Sequence, residues 1–300
     1  MSDITKDIQG FIERYKDEKA CYEVVAKMKW PDGYRCARCG HDEARLEFVE
    51  RVYECKRCGK QESVTSGTIF EHTKLPLWKW FMAIWFMVGD KRGISAMRLS
   101  KYIDVTYVTA WRMLHKLRMV MHEGGEEWKR LEGVIELDDA FFGGKGKGTR
   151  GRGAEKKVKV FVAVESRGDK AGRVLMRVVE HHDKENVQAF AQEGIQESSH
   201  IKTDNASVYN VLKKMGFQHE SIQTIASLRV EEQPWVHRMI SLAKRFVLGT
   251  YHGVSKAYFQ RYLDEFCYRM NRRYEGKNII MRFIADCVRA NPIRISGVSI

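Results

Sequence analysis

Apolar positions recur at helical spacing over residues 5–29, where Ile8, Phe11, Ile12 and Tyr15, then Cys21, Tyr22, Val25 and Met28, predict one or two short amphipathic helices. Trp30-Pro31-Asp32-Gly33 ends them. Between Tyr34 and Val64 the pattern shortens, and Glu47-Phe48-Val49 and Arg51-Val52-Tyr53-Glu54 predict a small strand-rich module. Pro76 then opens a helix running to about Val88, in which Trp78, Trp80, Phe81, Ile84 and Trp85 leave little polar face, so this helix should be buried. A short helix over 96–102, a turn at Ile103-Asp104-Val105 and a longer helix to about His122, with Thr106 as its N-cap, draw a helix-turn-helix outline.

After Gly124-Gly125 the period changes to that of strands. Runs at 133–142, 157–165 and 173–179 predict a three-stranded meander. A helix over 184–195, a strand over 200–204, a helix over 206–215 and a strand near 220–225 follow, then helices over 235–248, 258–271 and 278–290. Three consecutive strands followed by alternating helix and strand predict a mixed sheet carrying helices. The expected organisation is an α+β multidomain chain. It comprises N-terminal helices (1–33), a cysteine module (34–64), a helical region with the helix-turn-helix (65–125), the sheet domain (126–275) and a C-terminal helix and tail (276–300).

Composition narrows the partner. The 300 residues carry 52 Lys and Arg against 39 Asp and Glu, a formal charge of +13, which points to a polyanion. The longest apolar run, Trp80 to Val88, has nine residues, against the ~20 that span a bilayer. The start, Met1-Ser2-Asp3-Ile4-Thr5-Lys6-Asp7, lacks a basic stretch followed by an apolar one, so no export is expected. Four of the seven cysteines form two Cys-x-x-Cys pairs, which in a reducing cytoplasm read as metal ligands.

Those pairs, Cys36/Cys39 and Cys55/Cys58, are fifteen residues apart, the spacing of two knuckles that hold one Zn²⁺ by four thiolates. Gly40 and Gly59 follow them and ease the turn that lets backbone amides face sulfur. Arg35, Arg38, Lys56, Arg57 and Lys60 surround the knuckles, either as a grip on DNA backbone or as a solvated rim. Cys21, Cys267 and Cys287 are expected in cores. The helix from Thr106 is expected to expose Thr109, Arg112, His115 and Lys116 beside an apolar stripe of Val108, Trp111, Leu114 and Leu117. That surface suits a major groove, with Arg112 and Lys116 as the DNA contacts, although such helix pairs also occur as plain packing units.

In Gly133-Val134-Ile135-Glu136-Leu137-Asp138-Asp139-Ala140, Glu136 and Asp138 alternate along an otherwise apolar strand, where an uncompensated carboxylate is costly to desolvate. Asp204 ends the strand His200-Ile201-Lys202-Thr203 and precedes a helix start, where it can act as an N-cap or as a second ligand. Two acids at strand ends can share hard divalent cations, as in-line phosphoryl transfer requires. Between the first two strands lies a loop with six glycines and the basic residues Lys145, Lys147, Arg150, Arg152, Lys156, Lys157 and Lys159. It is expected to clamp DNA: glycine admits phosphates close to the backbone and the cations release counterions.

The ordered set of zinc ribbon, helix-turn-helix, Glu136-Leu137-Asp138-Asp139-Ala140-Phe141-Phe142-Gly143-Gly144, Lys202-Thr203-Asp204-Asn205, Val236-His237 followed after six residues by Lys244-Arg245-Phe246, and Gly249-Thr250-Tyr251-His252-Gly253-Val254 resembles bacterial insertion-sequence transposases. Specifically, over about residues 15–275 it resembles the zinc-ribbon branch of the DDE superfamily. The resemblance implies a ribonuclease-H-like catalytic domain, with Asp138 and Asp204 holding Mg²⁺ or Mn²⁺. It puts His237 where many members carry Glu as third ligand, seven residues before Lys244. Seven residues are nearly two helical turns, which sets the pair ~10 Å apart on one face, His237 toward metal and Lys244 toward phosphate. A neutral imidazole in place of Glu would favour Mn²⁺ over Mg²⁺. Against it stand a surface or core histidine, or an acid from Glu231, Glu232 or Glu265. The implied activity is DNA transposition: binding terminal inverted repeats, then cutting and joining DNA as a homodimer or higher oligomer. Rival readings are a non-catalytic DNA-binding regulator and a ribonuclease-H-like nuclease without strand transfer.

Overall fold

The computed structural model describes residues 8–47, 52–90, 92–125, 130–143, 157–222, 233–276 and 278–295. The chain divides into two units, residues 1–123 together with 275–300, and residues 124–274. The first unit thus takes in the C-terminal helix as well as the N-terminal segments.

In the first unit, α1 (Ile8–Tyr15), α2 (Glu18–Lys29) and α3 (Leu77–Val88) pack with α10, the C-terminal helix Asn278–Arg289. Phe11, Tyr15, Cys21, Val25, Phe81, Ile84, Phe283 and Cys287 form its buried centre. Rings lock it, Phe11 against Trp85 at 4.7 Å and Tyr15 against Phe81 at 5.1 Å between centroids. As its sequence predicts, α3 is buried on most sides, and with no N-cap side chain of its own its first amides, Leu77 and Trp78, take Glu18 carboxylate oxygens.

The cysteine module is a three-stranded antiparallel sheet, β1 (Ala44–Glu47), β2 (Val52–Cys55) and β3 (Gln61–Ser63). It is tied to the end of α2 by Trp30 against Tyr34 and Tyr53, and by Lys29, whose Nζ lies 2.8 Å from Glu62 and donates to the Ser66 carbonyl at 2.7 Å. The helix pair is α4 (Ala96–Tyr102) and α5 (Tyr107–Gly125), with Ser95 capping α4 and the Thr106 hydroxyl accepting from the Thr109 amide. His115, expected at the surface, is fully buried, its ring 3.9 Å from that of Trp111. Met113, Leu114, Leu117, Val120 and Met121 are buried beside it, so the apolar face of α5 is wider than the stripe read from the sequence. Arg112 is exposed, whereas Lys116 is partly covered and desolvation lowers its pKa.

The second unit is one five-stranded mixed sheet in the order β6-β5-β4-β7-β8, formed by β4 (Val134–Phe142), β5 (Val158–Ser166), β6 (Ala171–Val179), β7 (His200–Asp204) and β8 (Gln218–Ile222). The first three strands run antiparallel as a meander, and β7 and β8 add in parallel on the other side of β4. This is the ribonuclease-H-like arrangement. The crossover from β6 to β7 carries α6 (Lys184–Gly194), and a 3₁₀ turn with the short α7 (Val211–Lys214) joins β7 to β8. These cover one face with Ile135, Leu137, Phe161, Val187, Phe190 and Ile201. The other face packs Ala140, Phe142, Val160 and Val162 against α8 (Pro234–Tyr251) and α9 (Phe259–Asn271). Alternation therefore turns the even-numbered residues of β4 and β7 toward α8.

The open edge at β6 is closed by side chains of α9. Gln260 and Asn271 each exchange both amide hydrogen bonds with the strand backbone, at Val178 and Met176 and at Val174. Arg269, Asn271, Arg272 and Arg273 read from the sequence either as a DNA contact or as a charged helix face; here Arg273 donates to the Gly172 carbonyl and Arg272 is buried over the Tyr268 ring at 3.8 Å. This stretch holds the sheet edge.

Candidate active site and metal centre

Four sulfurs converge in the ribbon. Cys36 Sγ lies 3.6 Å from Cys58 Sγ and Cys39 Sγ lies 3.6 Å from Cys55 Sγ, and all four lie within 4.8 Å of one another. A tetrahedron with metal–sulfur bonds of ~2.3 Å has edges of roughly 3.8 Å, so the donor set fits a structural zinc. The local chain explains the convergence: Gly40 and Gly59 take positive φ of 70° and 64°, and their amides return to the carbonyls of Cys36 and Cys55 at 2.9 Å. Desolvation pushes the Cys36 thiol up, and the amides of Cys39 and Arg38 outweigh it and bring the group down to about 6, whereas at Cys39 the His41 amide is outweighed by desolvation and the three neighbouring sulfurs, which push it up to about 12, so the cluster by itself favours one thiolate. Arg35, Arg38, Lys56 and Arg57 are exposed around the knuckles.

In the second unit β4 and β7 lie side by side, and Glu136 pairs with Lys202 in the parallel register. Asp138, at the middle of β4 and not at the strand end expected from the sequence, and Asp204, the last residue of β7, each stand two residues further on, so both turn to the α8 face. His237, in the first turn of α8, brings Nδ1 to 3.6 Å from Asp138 Oδ2, with the two side chains 30% and 18% exposed. One helical face further on, Lys244 lies over the Phe142 ring at 5.8 Å. Its pKa is lowered by desolvation and then by Lys157, while Asp138 pulls the other way. Lys244, Lys157 and Asp138 therefore share one electrostatic neighbourhood.

Asp204 accepts a hydrogen bond from the Ala206 amide at 3.1 Å, a local turn ahead of the 3₁₀ helix, whose N-cap position is Ala206 and not Asp204. Among the described residues, the four cysteines are the only set of three or more metal-ligating side chains that closes within 4.8 Å, so Asp138, Asp204 and His237 stand as a more open group. Two carboxylates and an imidazole on one sheet face are nevertheless the donor chemistry that a hard or borderline divalent cation takes. Glu265, an alternative third acid, is fully buried and accepts from the Tyr251 hydroxyl with both oxygens, at 2.9 and 3.1 Å. Glu231 and Glu232 lie outside the described residues, as do Lys145, Lys147, Arg150, Arg152 and Lys156 of the glycine-rich loop. Lys157 and Lys159 are described, and Lys159 donates to the Glu180 carbonyl.

Two features of this sheet were not assigned from the sequence. Glu136 is buried and accepts from the first amides of α8, and on the opposite face Asp139 lies 3.1 Å from His182 Nε2, which also contacts the Tyr209 hydroxyl at 3.4 Å. The alternation of acids in β4 marked Glu136 as unusual, but nothing local to either position names its partner.

A ribbon of four cysteines, a helix pair and a ribonuclease-H-like sheet with acids on its adjacent strands β4 and β7 are the arrangement expected of a zinc-ribbon transposase of the DDE class. Residues 16–61 match the transposase zinc-ribbon domain and residues 130–271 match the ISXO2-like transposase domain. The chain therefore carries a transposase zinc ribbon and a transposase domain, the two parts of an insertion-sequence transposase. It is 27% identical over 277 residues to an uncharacterized protein in transposable element ISH50 of Halobacterium salinarum, covering 85% of this chain and 91% of that protein. Among solved structures it is similar to the Mos1 strand transfer complex and to a pre-cleavage Mos1 transpososome, with TM-scores of 0.29 and 0.27. Both are 11% identical and cover 72% of this chain and 81% of the other, likenesses too weak to add weight. No helix of the described residues is long and apolar enough to cross a membrane.

Proposed function

We propose that the chain binds the terminal inverted repeats of its element and catalyses DNA strand cleavage and strand transfer at Asp138, Asp204 and His237. The observation that carries this reading is the approach of His237 to Asp138 at 3.6 Å, on a helix that packs on the sheet face to which Asp138 and Asp204 both turn. Two divalent cations, Mg²⁺ or Mn²⁺, would supply the activation of a water or 3′-hydroxyl and stabilise the leaving oxygen. The protein's part is to hold the two acids on one face of the sheet, to present an imidazole as third donor, and to set Lys244 and Lys157 where scissile-strand phosphates would lie. Zn²⁺ on Cys36, Cys39, Cys55 and Cys58 would hold the ribbon folded as a DNA-binding module. The remaining cations of the glycine-rich loop would add counterion release, and the active species would be a dimer or higher oligomer on DNA. The direct test incubates purified protein with a duplex of its terminal repeat and Mg²⁺ or Mn²⁺. Nicks at the repeat boundary followed by joined product support the reading; binding without nicks in either metal leaves a regulator, and nicks without joining leave a nuclease.

Arg112 projects from α5 into solvent, unlike buried His115. Arg112→Ala weakens binding to the cognate repeat by roughly tenfold or more and binding to random duplex far less, because base contacts discriminate and phosphate contacts do not. Competition binding at fixed salt measures this, and equal losses on both duplexes would demote α5 to a phosphate binder.

His237→Ala removes a ligand, and cleavage falls by about 10–100-fold, whereas His237→Glu retains activity with Mg²⁺ because an anionic oxygen suits a hard cation. Mn²⁺ narrows the gap between wild type and the Glu variant. Rates in the two metals decide it, and a fully active His237→Ala protein would move the search to Glu231 or Glu232, since Glu265 is engaged with Tyr251.

A further inference from the structure

The start of α8 is short of acceptors by construction. Pro234 has no N–H, and Gln233, at the N-cap position, makes no side-chain cap, so the first-turn amides need an acceptor from elsewhere. Glu136 supplies it from the sheet: Oε2 accepts from the Trp235 and Val236 amides, both at 2.8 Å, with the residue 2% exposed. Gln233, 3% exposed, reaches the neighbouring strand and donates Nε2 to the Lys202 carbonyl at 2.8 Å. Each anchor falls two residues before a carboxylate of the proposed site, Glu136 before Asp138 on β4 and Lys202 before Asp204 on β7. His237 is the next residue after the doubly anchored pair. The far end of the helix is tied separately, through Tyr251 to Glu265.

From this juxtaposition we propose that Glu136 and Gln233 are positioning residues that bolt the His237-bearing helix to both acid-bearing strands and so set the spacing of the metal ligands. The inference rests on the metal-site reading above. A carboxylate here also opposes the positive end of the helix, and that end is then filled by the protein and withheld from DNA phosphate. Orienting partners of metal ligands commonly tune affinity by 10–100-fold, which sets the expected size of the effect.

The test uses the full chain and two readouts, amide hydrogen exchange and titration with Mn²⁺ alone. Glu136→Ala accelerates exchange at Trp235, Val236 and His237 by at least about tenfold without accelerating α9, and weakens Mn²⁺ binding by about 10–100-fold. Gln233→Ala has the same signature at smaller size, and Glu136→Gln, which keeps an acceptor oxygen, stays within about threefold of wild type. If Glu136→Ala does not fold, Glu136→Asp, one methylene shorter, takes its place. Exchange accelerated evenly across the sheet unit would make Glu136 a general stabiliser and overturn the proposal, as would wild-type Mn²⁺ affinity in the Ala variant. Should wild-type protein take up no Mn²⁺, the metal-site reading fails by itself. Exchange then decides the clamp: acceleration confined to residues 235–237 supports it and an unchanged rate overturns it.

Discussion

Asp138→Asn and Asp204→Asn each lower strand cleavage by on the order of 10³-fold or more while end binding stays within about threefold of wild type. The separation follows from where the charges sit. Each substitution replaces an ionised ligand by a neutral amide of the same shape, which removes attraction for a divalent cation without disturbing the apolar faces around it. Asp138, within β4, and Asp204, at the end of β7, are only partly exposed, while recognition of the end is proposed for Arg112 on α5. Asp204→Asn retains a side-chain oxygen for the Ala206 amide, so its local turn survives. Gel-shift binding and end-cleavage rates on the same preparations measure both quantities. Near wild-type joining by either variant would remove that acid from the site, and lost binding in both would mean that they support the fold.

Stripping the ribbon of zinc with a chelator, or substituting Cys36→Ser or Cys55→Ser, unfolds residues 34–64 and leaves the sheet unit melting as before. Metal binding is worth an apparent ~10–16 kcal/mol to small structural zinc modules, and this one has little else to hold it. Among its described residues the module buries only Cys36, Cys55 and Val64 as apolar side chains. The aromatic contacts of Trp30 with Tyr34 and Tyr53 tether the module at one end and cannot replace a core. Acid should act in the same direction as the chelator, since protons compete with metal for thiolates. Elemental analysis of fresh protein should find about one zinc per chain, and less than half would reject the ribbon assignment. Hydrogen exchange localises the unfolding; loss spreading to residues 124–274 would contradict it.

Much of the local architecture was legible along the chain. The strand expected over 133–142 is found at Val134–Phe142 and the short helix over 96–102 at Ala96–Tyr102, because each is written in the period of its own residues. The ribbon was legible for a stricter reason: four thiols at fixed short spacing can satisfy only a few geometries, and the glycine after each pair supplies the required turn. The seven-residue interval from His237 to Lys244 likewise needs only helix geometry to put both on one face. In contrast, His115 was misplaced at the surface because periodicity counts apolar residues and does not register how broad a face the neighbouring helices cover.

What the sequence by itself determined, then, is what neighbours a few residues apart set: most of the elements, the four-sulfur cluster and the acids marked as anomalous in an apolar strand. Only the tertiary structure decided which of those acids does what. Glu136 and Asp138 stand two residues apart on one strand, yet Glu136 is taken up by amides 99 and 100 residues away while Asp138 meets His237. Arg269, Asn271, Arg272 and Arg273 read as a charged face until Asn271 and Arg273 are seen bonded to β6. The physical reason is the same in each case. A hydrogen bond or ion pair across the sheet depends on strand order and helix docking, and these are settled by the collective burial of apolar faces that no short window of residues contains.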